Sequence, residues 1–202
     1  MADFQRTLGT PAAAPWVNDV GGIGTISPGD TAMNVVDLAP GLYAMLCDME
    51  DAHGTPHMME GMVRALTVSD RRNTAVMPTA DVALELSDYS FTLPVPLSVG
   101  AHVIEVHNAG PQTHMVLLWR LHQGKSTADV VHWMETPSDT EPAPVTLMGG
   151  TPDLAAGRKV QLLVSLAPGQ YVLICLVDDT HDHKPHYAHG MVRQIAVEAA
   201  GP

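Results

Sequence analysis

Two stretches of the 202-residue chain place a cysteine, a histidine and a methionine on one loop at nearly the same spacing. In the C-terminal stretch ten residues separate Cys175 from His186 and four separate His186 from Met191; in the N-terminal one nine separate Cys47 from His57 and four separate His57 from Met62. Thiolate and thioether stabilise Cu(I) and imidazole tolerates Cu(II), so two imidazoles and a thiolate in a plane, with a weak axial thioether, suit a blue-copper site. The C-terminal loop supplies three such donors. The fourth must come from a neighbouring strand, and His114, in NAGPQTHMV, follows a strand end and a turn. His181, His183 and His189 crowd the same loop and compete with His186. His186 ranks first because it has a counterpart, His57, in the other copy, whereas His189 aligns with Glu60. The competing reading makes Cys175 a small buried hydrophobe and Met191 a core residue that starts a strand. Recurrence of the whole spacing favours ligands.

The two motifs belong to a longer self-similarity. With a constant offset of 128, Gly21–Cys47 overlays Gly149–Cys175 without a gap, matching LAPG, the tyrosine two residues beyond it and the cysteine. One extra residue in the second loop then brings Pro56, His57, Gly61, Met62, Val63 and Arg64 onto Pro185, His186, Gly190, Met191, Val192 and Arg193. Two domain-sized copies indicate an internal duplication and not a solenoid. The copies are unequal, because a long lead precedes Cys175 that the first copy lacks. This divides the chain into a partial copy over 1–70, a polar, proline-bearing linker over 71–79 and a complete domain over 80–202.

The elements that must position the donors read as strands. HVIEVHN, HMVLLWRL, KVQLLVSL, QYVLICLV and MVRQIAVE are short, rich in Val, Ile and Leu, and bounded by Gly, Pro, Asn or Asp. Many such segments make an all-β sandwich or barrel. Pro40-Gly41 and Pro168-Gly169 suit type II turns, with glycine supplying the positive φ, between consecutive antiparallel strands. Tyr43 and Tyr171 are expected to pack and hydrogen-bond at a strand corner. One helix is predicted, opened by a capping box of Ser126 with Asp129 and ended by Pro137. The loop acids Asp48, Glu50, Asp51, Asp178, Asp179 and Asp182 are expected to be solvated charges.

From about Ala80 to Ala199 the sequence resembles the cupredoxins: an Asn-containing turn before a histidine, then Pro-Gly-x-Tyr on a strand that leads to Cys, His and Met. The resemblance implies a Greek-key β-sandwich with a type 1 copper held by His114, Cys175, His186 and Met191, used for one-electron transfer. It also implies work in the periplasm or outside the cell. The alternative class is a copper-capture, storage or metal-free structural module on the same fold. The ten-residue Cys-to-His gap is longer than in small plastocyanin-like carriers, and Ile174 stands where nitrite reductases place a histidine directly before the cysteine. The His-Cys-His run of multicopper oxidases is absent as well. Neither a catalytic base nor a nucleophile accompanies the motif, which favours an electron carrier over an enzyme. Cys47, His57 and Met62 form a second, weaker candidate site, because the counterpart of His114 would lie on a strand ahead of Met1. One type 1 copper per chain is therefore expected.

Composition constrains the rest. The net charge of −12 disfavours nucleic acid and anionic membrane and favours basic or neutral partners, among them a redox protein. No stretch approaches the roughly 18 apolar residues of a membrane span, and the opening MADFQRTLGTPAAAP has no apolar core of a signal peptide. Two cysteines are too few for a disulfide framework. A half-sandwich in the first copy would leave strand edges and an apolar face exposed, so packing on the second module or a homo-oligomer is expected.

Overall fold

The computed structural model describes residues 20–71, 74–136, 138 and 140–198. By backbone proximity these fall into two compact units, one built on Asp37–Val76 and the other on Asp19–Val36 together with Met77–Pro202. The strands in chain order are β1 (Met33–Val35), β2 (Gly41–Leu46), β3 (Val63–Val68), β4 (Val82–Ser87), β5 (Ser90–Thr92), β6 (Gly100–Asn108), β7 (Leu117–Leu121), β8 (Val145–Gly150), β9 (Lys159–Leu166), β10 (Gly169–Ile174) and β11 (Val192–Val197). A helix, α1 (Thr127–Glu135), lies between β7 and β8.

The larger unit is a β-sandwich of two sheets, ordered β1-β9-β6-β4-β5 and β11-β10-β7-β8. Alternation along the strands sets the inner faces. Val82, Leu84 and Leu86 of β4 and Ile104 and Val106 of β6 point into the core, and the residues between them are more exposed. Facing them from the second sheet are Leu118, Tyr171, Leu173 and Cys175. Strand β10 is buried on both faces, because Val172 and Ile174 pack outward with Trp119 and Val130 of α1. Each such fully buried aliphatic side chain contributes about 1.5–3 kcal/mol of transfer free energy. The position of Cys175 at the end of the most enclosed strand follows directly.

The predicted capping box is formed: Ser126 Oγ accepts from the Asp129 amide, and the Asp129 carboxylate accepts from the Ser126 amide at 2.9 Å. The proposed stop, Pro137, lies outside the described residues. Tyr171 closes its corner by donating to the Ala167 carbonyl at 2.8 Å, and Tyr43 does the same to Ala39 at 2.7 Å. The Pro-Gly turns differ from expectation. Strands β9 and β10 belong to different sheets, so the turn at Pro168-Gly169 passes the chain across the sandwich and joins no hairpin. Gly169 has the expected positive φ, but at 156° it lies far from the roughly 80° of a type II turn, and Gly41 is not among the described glycines with positive φ, so neither place holds a type II turn.

The smaller unit is a two-stranded ladder, β2 with β3, running from Gly41 opposite Val68 to Leu46 opposite Val63. The ladder of β10 with β11, from Gly169 opposite Val197 to Ile174 opposite Val192, corresponds to it position for position. The environments differ. Met45 and Met62 are exposed, whereas their counterparts Leu173 and Met191 are buried. The segment before β2 departs from the boundary the repeat suggests, because β1 pairs with β9 and thereby extends a sheet of the larger unit.

Candidate metal centre

The site begins at Asn108, the buried last residue of β6. Its side-chain amide donates to the carbonyls of Gln112 and Leu154 at 2.8 and 2.7 Å, and its oxygen accepts from the Gly110 amide at 3.0 Å. An Asn that bonds its own backbone two residues on makes a local turn. Beyond the turn His114 is pinned by a two-way backbone bridge with Leu154. Its ring is fully buried.

The second supplier is the loop after β10. The Cys175 amide donates to the Met191 carbonyl, the Met191 amide to the His186 carbonyl, and the Tyr187 amide to the Cys175 carbonyl, at 3.1, 3.0 and 3.1 Å. A short 3-10 turn over His186–His189 ends at Gly190, whose φ of 100° a side chain would strain. These bonds fold the loop so that Cys175, His186 and Met191, each fully buried, return to one place.

There the donors converge. Nδ1 of His114 lies 3.0 Å from Nδ1 of His186, and Sγ of Cys175 lies 3.5 Å from the same His186 nitrogen. The donor atoms of all three residues lie within 4.8 Å of one another. Burial pushes the Cys175 thiol up to about 11. Burial first, and then the neighbouring His114, lower the pKa of His186 and favour the neutral ring that ligates metals. Two inward-facing ring nitrogens this close repel unless a proton or cation is shared between them. The buried Cys175 sulfur, which accepts a long bond from the Met115 amide at 3.5 Å, needs a nearby cation to ionise. A soft cation satisfies both conditions, so the donor set fits copper.

Orientation of His114 comes from a residue the sequence reading missed. Nε2 of His114 donates to Oδ1 of Asp88 at 2.9 Å, which leaves the Nδ1 lone pair directed at Cys175 and His186. Gly110 permits the approach: a Cβ there would lie 2.8 Å from His114 Nε2 and 2.9 Å from Asp88 Oδ1. Asp88 and Tyr89 form the tip of the β4–β5 hairpin, where Tyr89 holds a φ of 61°, rare for a bulky residue. The Tyr89 ring sits edge-on to His186 at 5.6 Å, and its hydroxyl donates to Asp179 at 2.5 Å. Ser-Asp-Tyr-Ser between two alternating segments was the only sequence signal for this tip.

Asp179 corrects one expectation. It is not a solvated charge, because its side chain is 2% exposed and accepts from Tyr89, from Gln112 at 2.9 Å and from the His181 amide at 2.7 Å. Those donors, Tyr89 foremost, hold its carboxyl far below the usual range. Asp51, its counterpart, is likewise partly withdrawn and accepts from the His53 and Thr55 amides. Of the competing histidines, His181 and His183 are exposed, and His189 lies tilted against Tyr89, ring centroids 4.8 Å apart, and pairs with Asp182. In the first copy Cys47 Sγ lies 3.6 Å from His57 Nδ1, and Met62 is exposed.

Among the described residues no helix is long and apolar enough to cross a membrane. No protein-family model and no curated protein sequence matches the chain. Among solved structures the chain is similar to a dithionite-reduced auracyanin from the photosynthetic bacterium Roseiflexus castenholzii, at 20% identity and a TM-score of 0.38 over 59% of this chain and 95% of that one. It is also similar to auracyanin B, at 22% identity and a TM-score of 0.39 over 60% of this chain and 92% of that one.

Proposed function

We propose that the larger unit is a cupredoxin-type electron-transfer module whose type 1 copper is held by His114, Cys175 and His186, with Met191 as the weak axial donor. The observation that carries this reading is the convergence of a thiol and two ring nitrogens within 4.8 Å, all sealed from water, with a buried methionine on the same loop. Bound copper supplies reversible exchange of one electron between Cu(II) and Cu(I). The protein's own share is geometric. Asp88 sets the tautomer of His114, the loop hydrogen bonds fix Cys175 and His186, and the core excludes water, leaving no position for a substrate. Electron carriage is the activity that suits such a closed site. A periplasmic or extracellular setting and a basic or neutral redox partner accompany the reading, the latter because the chain carries a net charge of −12.

The test is reconstitution of the full chain with Cu(II). An intense thiolate-to-Cu(II) band is expected, and Cys175→Ser should abolish it while far-UV circular dichroism stays that of a β protein. A band that survives the substitution sinks the assignment.

A further inference from the structure

The first copy keeps the geometry of the metal loop without its enclosure. Its cysteine amide donates to the Met62 carbonyl at 3.1 Å, the Met62 amide to the His57 carbonyl at 2.9 Å, the Met58 amide to the Cys47 carbonyl at 2.9 Å, and the His57 amide to the Met49 carbonyl at 2.8 Å. Each bond has a counterpart around Cys175, within about 0.2 Å in length. The sulfur-to-nitrogen distance agrees too, 3.6 Å against 3.5 Å. The loop thus keeps the same fold with less burial.

Two things differ. Among the described residues no further His, Cys, Asp or Glu joins Cys47 and His57, so the second imidazole of the other site has no equivalent. Cys47 also lines a shallow cleft with Met45, Leu46, Gly61, Met62, Val63 and Arg64, in which both methionines are more than half exposed. One imidazole, one thiol and accessible thioethers form a soft donor set. Thioether donors and a low coordination number favour Cu(I) over Zn(II), which takes thiolate and imidazole but in a four-coordinate shell, and over Cu(II), which prefers more nitrogen and oxygen.

We propose that Cys47, His57 and Met62, with Met45 at the rim, form a Cu(I)-binding site open to solvent, separate from the enclosed site of the larger unit. Binding forms a bond from Cu(I) to the Cys47 sulfur and releases the thiol proton to water; no electron moves. The accessible thioethers let the ion enter and leave, which suits capture and passage of copper better than electron transfer.

The experiment is an anaerobic titration of the full chain with Cu(I) held by a chromophoric chelator, bicinchoninate, with ascorbate as reductant. Wild type should remove two equivalents from the chelator. Cys47→Ser should remove one and keep the Cu(II) absorption of the enclosed site, which also reports that the variant is folded. Met62→Leu should weaken the second equivalent by at least the roughly 10-fold that even outer-shell changes cause. If wild type takes one equivalent and Cys47→Ser takes the same, the proposal fails. It fails as well if an equal concentration of Zn(II) displaces the second Cu(I). Should Cys175→Ser take one equivalent and Cys47→Ser none, the open site stands and the copper assignment of the larger unit falls.

Discussion

Asn34 of β1 stands opposite Leu162 of β9, and in the alignment of the two halves these are the same position. Their neighbours obey the same rule: Met33 faces Leu163 and Val35 faces Gln161, so the two strands meet about a local two-fold axis. The Asn34 side-chain amide extends the relation by donating to the carbonyls of Gly22 and Gly150, which are again equivalent positions. One half-buried amide thus ties the segment ahead of β2 to the sandwich.

That tie can be measured. Asn34→Leu, which writes the residue of the opposite strand into β1, removes the side-chain donor from the Gly22 and Gly150 carbonyls, the second of which keeps the Gly24 amide, and should destabilise the larger unit by about 1 kcal/mol. Urea denaturation checks it. A midpoint equal to that of wild type would mean that β1 is held by its backbone ladder alone.

Gly110→Ala tests the orientation of His114. The added methyl has no room between His114 and Asp88, so the hydrogen bond must lengthen. Copper affinity should fall about 10–100-fold, the usual effect of losing an outer-shell partner. Asp88→Asn should lower affinity in the same direction with no steric insult. Competition titrations that find both variants unchanged would separate the hairpin tip from the metal site.

Met191→Gln addresses the axial donor. A weak axial ligand governs reduction potential more than affinity, and an amide oxygen favours Cu(II). The variant should keep the blue spectrum and show a lower potential by voltammetry. Complete loss of copper would instead make Met191 a principal ligand.

The pair Asp81 and His102, 2.6 Å apart and remote from the donors, gives a pH signature. Burial depresses the His102 pKa, but its bonds to Asp81 and to the Ser98 carbonyl outweigh this and leave it raised. The His102 bond, followed by that from the Val103 amide, lowers Asp81. A raised histidine stabilises fully below its unfolded value of about 6.5 and loses that contribution as pH climbs through its folded value; a lowered carboxyl stabilises above about 3.9 and loses it on acidification. The pair therefore acts fully between those limits. For a half-exposed partner the effect is on the order of 1 kcal/mol or less. His102→Gln should flatten the loss of thermal stability on the alkaline side, as melting curves from about pH 6 to 8 would show. An unchanged slope would assign that loss to other groups.

What the sequence displayed and what it hid follow from range. Cys175, His186 and Met191 lie on one loop whose hydrogen bonds are local, so their spacing could be read directly. His114 could be read because an Asn turn precedes it, and α1 because its cap uses residues three apart. Asp88 and Tyr89 were hidden because they reach the donors only through the meeting of the two sheets, 26 residues before His114 and 97 before His186. The docking of β1 was hidden for the same reason. Repetition shows where a strand forms, whereas the sheet it joins depends on which edge is open. Asp179 was misread because polar loop residues are normally wet, and its burial depends on a tyrosine from the distant hairpin.

The hairpin tip has one more consequence. His186 is fully buried with the Tyr89 ring edge-on to it, and its Nε2 has no hydrogen-bond partner. Were the proposed copper to change its charge by one unit, no solvent dipole touching His114, Cys175 or His186 would have to turn, and the fixed groups around them are set by folding. In the copper site proposed above, this would keep the solvent part of the reorganisation energy low, with the Tyr89 ring standing edge-on against His186.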